Sequence, residues 1–174
     1  MLLNLNFWDR LLEKFIGDAL FAVFGAPETG SRDSTNALAC AHAMLKELDE
    51  FNRARASRGE TPLRMGVGIH YGPVVMGDIG TERNAAYAIV GDTVNTASRL
   101  QQLCRKLECD VVVSNALIEA VHREGANEAD GLLEGFVRLN PHRIRGREGK
   151  IALWTYLTMD RAATDDVDHG APGT

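Results

Sequence analysis

The sequence lacks the features that would place it in several protein classes. It has three cysteines, Cys40, Cys104 and Cys109, an odd number with no CxxC spacing. That argues against a disulfide framework, and the three read as small core residues in a reducing compartment. Five histidines (His42, His70, His122, His142 and His169) are scattered, with no two at metal-ligand spacing, so a zinc centre is not expected. No apolar run approaches the roughly 20 residues that a membrane span needs. Residues 1–8 lack the basic start and small-residue cleavage site of a signal peptide. The expectation is a cytoplasmic protein with no membrane segment. Basic excess is also missing. A net charge of -5 opposes general nucleic-acid binding, while leaving room for a local cationic pocket that holds phosphates.

What remains is an ordinary globular composition. The chain has 174 residues, 45% hydrophobic and 25% charged, enough for one domain with a real core. Residues 158–174 are polar, acidic and end in Gly and Pro, which predicts a disordered tail. Between the ends, strand and helix patterns alternate. Two apolar stretches flank Gly17-Asp18 and predict a hairpin. Asp33 or Ser34 is positioned to cap a helix reaching about Arg58, with Leu38, Ala41, Leu45, Leu48 and Phe51 on one face. Residues 63–70 alternate, with Leu63, Met65, Val67 and Ile69 on one face and Arg64 and glycines on the other. After Tyr71-Gly72-Pro73, residues 74–79 read as the return strand of a second hairpin. A short strand over 87–90, a helix over about 93–107, a buried strand over 111–113 and a short helix capped by Ser114 follow. Later strands are expected over 132–139 and 150–157, with a basic turn at 143–147 between them. Hairpins within the alternation imply an α+β mixed sheet with helices on one face, not a doubly wound sheet.

Two places carry possible chemistry. The Gly-Asp turn lifts Asp18 clear of its sheet, where a carboxylate either serves as turn chemistry or holds a hard cation such as Mg²⁺. In Gly91-Asp92-Thr93-Val94-Asn95-Thr96-Ala97-Ser98-Arg99, a helix capped by Asp92 puts Asn95 and Arg99 four residues apart on one face. An amide beside a guanidinium can bind a sugar and a charged phosphate together. The alternative is a solvated face with Arg99 in an ion pair. His70 reads as the end of a strand, Trp8 and Trp154 as packing, and Met44, Met65 and Met76 as core filler.

Three segments in order, Lys14–Ala19 with Phe24-Gly25, Gly68-Ile69-His70 with Gly72-Pro73-Val74-Val75, and Ile89–Asn95 with Ala97–Leu100, resemble the catalytic domain of class III adenylate/guanylate cyclases. The resemblance spans about residues 12–157, leaving 1–11 as a segment unrelated to the family. It implies a ferredoxin-like mixed sheet with helices on one face. It also implies a head-to-tail dimer whose active site lies at the interface. By the same resemblance Asp18 matches one of two metal-binding aspartates, and Lys14 matches the lysine that reads adenine. Asn95 and Arg99 match the pair that orients the ribose and stabilises the transition state. Arg83 and Arg145 match groups that hold the triphosphate. The implied reaction converts ATP to cyclic AMP and pyrophosphate, with two Mg²⁺ or Mn²⁺ ions as cofactors.

Two departures qualify these expectations. The family's other metal aspartate lies on an opening strand, followed by a helix, upstream of the lysine, and thirteen residues before Lys14 cannot hold both. The expectation is a domain lacking its first strand and helix, with open strand edges. Ala88 stands where the family usually has Asp or Thr to read the purine, leaving base selection to Lys14 or a backbone group. The expected function is therefore a nucleotide cyclase impaired on its own. The alternative is an inactive or regulatory half that pairs with a complete cyclase domain as a heterodimer.

Overall fold

The computed structural model describes residues 11–79, 86–125, 131–144 and 149–156. Strands β1 (Leu11–Ile16) and β2 (Ala19–Phe24) pair antiparallel with Ile16 opposite Ala19, so Gly17 and Asp18 alone make the turn. Gly17 has φ +64°. A positive φ at the first turn position is the type II′ geometry whose twist matches the two strands, and glycine adopts it without strain. The first expected hairpin is present.

Helix α1 (Asp33–Ala56) buries Leu38, Ala41 and Leu45. Its start differs from expectation. Neither Asp33 nor Ser34 caps it; Arg32 holds the cap position and makes no side-chain cap bond. The Asp33 carboxylate instead turns back to accept from the Gly30 N–H at 2.5 Å. The helix N-terminus is satisfied from far away in sequence. The N–H groups of Ser34 and Thr35 donate to the Glu124 carboxylate at 2.8 and 2.7 Å, and the Thr35 hydroxyl donates to it at 2.8 Å. An anion at this position meets both the orphan donors and the positive end of the helix dipole.

The second expected hairpin does not form. Strand β3 (Val67–Ile69) pairs in parallel with β6 (Val111–Ser114), while β4 (Val75–Ile79) pairs antiparallel with β5 (Ala86–Val90). A parallel pair needs a long crossover, and helix α2 (Asp92–Lys106) lies within it. The turn around Gly72-Pro73 leads the chain away from β3. The Pro73 carbonyl accepts from the Thr93 hydroxyl at 2.6 Å, which pins that turn to the start of α2. Helix α3 (Asn115–Glu124) follows β6 and is capped as expected, the Ser114 hydroxyl accepting from the Leu117 N–H. The last strands are β7 (Phe136–Arg143) and β8 (Lys150–Tyr156), in the sheet order β3-β6-β8-β7. Strand β7 starts later than expected because Leu132 and Leu133 pack inward on the core first. Its ladder is irregular between Leu139 and His142, where Pro141 has no N–H to give.

Strand β6 is apolar at Val111, Val112 and Val113, so both of its faces are covered. Val111 and Val113 pack with Leu38 and Leu45 of α1 and Leu117, Ile118 and Val121 of α3. Val112 packs with Leu100 and Cys104 of α2, together with Cys109 and Leu153. The fold is α+β with a mixed sheet, as expected. The helices do not all lie on one face as expected: α1 and α3 share one face, and α2 lies across the other. Strand β3 explains how. Met65, Val67 and Ile69 face the α1 layer, while a Cβ placed on Gly68 would lie 2.2 Å from the Gln101 nitrogen and 2.5 Å from the Ala97 carbonyl oxygen. Only a residue without a side chain lets α2 sit this close. Helix α1 packs on both β2 and β3, yet no strand among the described residues joins them. The β1–β2 and β4–β5 pairs are separate two-stranded sheets.

Two outcomes follow. Gly68→Ala should destabilise the domain by about 3 kcal/mol or more, because helix backbone cannot yield as a side chain can. Urea unfolding with an unchanged midpoint would remove Gly68 from this role. Glu124→Ala should cost about 2 kcal/mol by leaving the α1 donors unmatched, lowering the thermal midpoint by about 5 °C; an unchanged midpoint would show that water serves those donors equally well.

Candidate active site

The start of α2 fixes the strongest candidate pair. Thr96 and Leu100 are fully buried against the sheet, which turns Asn95 to solvent and leaves Arg99 half-buried one turn further on. Residues four apart on a helix are neighbours on its surface, so the expected shared face is present. Asp92 is the first residue of the helix and not its cap, the cap position being Gly91. Arg99 makes no ion pair among the described residues, and its Nη1 is buried with no hydrogen-bond partner there. A buried donor left unmatched costs on the order of 1–3 kcal/mol. A permanently charged, forked donor in that state is set up to receive an anion with several oxygens.

Asp18 sits at the tip of the β1–β2 turn and is exposed. Lys14 lies on β1 opposite Phe21. Next to it, Phe15 is 73% exposed, an unusual display for a large aromatic ring. Ala88 is half-buried on β5 opposite Gly77. Arg83 and Arg145 lie outside the described residues. The expected sites therefore fall on two bodies. The hairpin packs on α1, whereas α2 packs on β3, β6 and β5.

As a metal site Asp18 is incomplete. Divalent Mg²⁺ needs near-octahedral oxygen ligation, and no group of three His, Cys, Asp or Glu side chains among the described residues could hold an ion. The described residues do not by themselves fit the two expected ions.

A cleft of about 600 Å³ opens beside the start of α2, lined by His70, Tyr71, Asp92, Ser114, Asn115 and Glu119 among others, but by none of Asp18, Asn95 and Arg99. His70 Nδ1 lies 2.8 Å from the Ser114 hydroxyl, which ties the end of β3 to the β6–α3 junction. That is the strand-ending role expected of it. Trp154 donates to the Asn115 side chain at 3.0 Å. One feature was missed in the sequence. Val75 and Val90 are cross-strand partners on the β4–β5 ribbon, and both are exposed, at 67% and 55%. Each looked like an ordinary strand residue, and only the pairing register reveals the shared apolar ridge. No helix among the described residues is long and apolar enough to cross a membrane.

Comparison with known proteins gives these positions a context. Residues 12–155 match the family described as the adenylate and guanylate cyclase catalytic domain. Adenylate cyclase 1 of Rhizobium meliloti is 36% identical over 110 residues, covering 63% of this chain and 16% of that protein. An adenylate cyclase of Anabaena cylindrica is 36% identical over 111 residues, covering 62% of this chain and 21% of that protein. The chain thus spans about a fifth or less of these relatives. Among solved structures, the guanylyl cyclase Cya2 superposes with a TM-score of 0.62 at 28% identity, over 86% of this chain and 72% of that one. The chain belongs to the adenylate and guanylate cyclase catalytic domain family.

Proposed function

We propose that this chain contributes half of a nucleotide cyclase site that converts ATP to cyclic AMP and pyrophosphate, completed by a second cyclase domain. The observation that carries the reading is the Asn95–Arg99 pair, with one buried guanidinium nitrogen unmatched among the described residues. In the reaction the ribose 3′-hydroxyl oxygen bonds to the α-phosphorus, the bond from that phosphorus to pyrophosphate breaks, and the hydroxyl proton leaves. Negative charge shifts among the phosphate oxygens, and Arg99 is the group that meets it. Asn95 can hydrogen-bond the ribose and hold the attacking oxygen in line. Lys14 reads the base, and Arg83 and Arg145 hold the triphosphate. Asp18 would supply one carboxylate to a cation whose other ligands come from elsewhere.

The partner domain is inferred from what one chain leaves open. Asp18 and Asn95 face outward, Phe15 and the Val75–Val90 ridge are apolar and exposed, and among the described residues neither two-stranded pair is joined to the four-stranded sheet. A second domain laid head-to-tail would cover these surfaces and enclose the site. A regulatory half that binds nucleotide without turnover is the second reading. It is favoured by the lack of any three-ligand cluster among the described residues.

Arg99→Ala and Asn95→Ala, measured in the assembly that turns over ATP, should each lower kcat by roughly 10²-fold or more with little change in KM. A change confined to KM would make both ordinary binding residues. Lys14→Glu should reduce ATP turnover relative to GTP in the same assembly. Because Ala88 offers no side-chain contact to the base, the starting preference is expected to be modest. Indifference of the ATP:GTP ratio to the substitution would remove Lys14 from base reading.

A further inference from the structure

Cys104 and Cys109 are brought together by the way α2 ends. The Cys109 N–H donates to the Cys104 carbonyl at 3.0 Å, and Glu108 between them has φ +52°. With Leu107 at the helix cap position, this is the Schellman arrangement, in which the residue two beyond the cap bonds back to the third residue from the helix end. The motif places those two side chains against each other, and here both are thiols. They share one apolar cluster with Leu100, Val112, Ile144 and Leu153, and are 3% and 5% exposed. The Cys104 sulfur also lies 3.4 Å from the Val67 carbonyl oxygen of β3.

We propose that Cys104 and Cys109 are a two-electron redox pair that hydrogen peroxide converts to an intramolecular disulfide, tying the last turn of α2 to the residues that lead into β6. The pair divides the labour. The neighbouring Cys104 thiol draws the Cys109 thiol below its usual range, while Cys109 and burial push the Cys104 thiol up and hold it protonated. Cys109 is therefore the attacking sulfur. Its thiolate bonds to one peroxide oxygen, the O–O bond breaks, and the departing hydroxide takes a proton to become water. The resulting sulfenic acid is attacked by the Cys104 sulfur. The S–O bond breaks, and the leaving hydroxide takes the Cys104 proton as a second water. The dithiol loses two electrons and two protons, and the peroxide becomes two waters. An oxidant of nearly water size suits a site this closed, whereas a glutathione disulfide does not. Cys40 is the internal contrast: it is buried in α1, away from the pair, and burial pushes its thiol up.

The test uses the full, folded chain. It is treated with hydrogen peroxide, quenched, unfolded in guanidinium with N-ethylmaleimide and weighed intact. The expected result is a fall from three alkylated thiols to one, restored to three by dithiothreitol, with peptide mapping that joins Cys104 to Cys109 and leaves Cys40 alkylated. Cys104→Ser should leave no such bond and should carry a peroxide-derived adduct on Cys109. Three thiols still alkylated after oxidation would overturn the proposal. So would oxidation that stops at a sulfinic or sulfonic acid, or a bond that involves Cys40. None of these readouts depends on cyclase activity, so the cyclase reading and the redox pair stand or fall separately.

Discussion

The position of α2 depends on one missing side chain. At Gly68 the helix backbone comes so near to β3 that a single added carbon would meet Gln101 and Ala97 inside contact distance. This seat buries Thr96 and Leu100 completely, and helical geometry then dictates where Asn95 and Arg99 point. The same seat leaves the opposite face of β3 to Met65, Val67 and Ile69, which close the α1–α3 core. The two cores lie on either side of one short sheet and share β6, whose consecutive valines serve both.

The clamp between Glu124 and the start of α1 works at a second level. It joins α3 to α1 by three donors on one carboxylate, across a span of 90 residues. Through α1 it reaches the β1–β2 hairpin, which among the described residues has no strand partner in the four-stranded sheet. The placement of Asp18 and Lys14 thus rests on helix packing, whereas that of Asn95 and Arg99 rests on the sheet.

Most local chemistry was legible in the sequence, the start of α1 excepted; long-range pairing was not. The Gly17-Asp18 turn, the Ser114 cap, the alternation through Met65, Val67 and Ile69, and the Asn95–Arg99 face all depend on neighbours a few residues apart. The three-residue strand β3 was misassigned to a hairpin because its true partner, β6, lies across a crossover helix and leaves no periodic trace nearby. The Glu124 clamp was invisible for the same reason, since an anion can satisfy a helix start from any distance along the chain. The unmatched nitrogen of Arg99 was equally hidden, because burial of one guanidinium arm is a property of packing and not of spacing.

The central claim is that α2 presents a working half-site that a second cyclase domain completes. The direct measurement is cyclic AMP formation by this chain mixed with a cyclase catalytic domain that keeps its metal aspartates but is inactive because its own transition-state arginine is replaced by alanine. Association of the two is followed in parallel by sedimentation. The account predicts product from the mixture, and a rate lower by roughly 10²-fold or more when this chain carries Arg99→Ala. An associated pair that makes no cyclic AMP, or one whose rate is the same with and without Arg99, would contradict it.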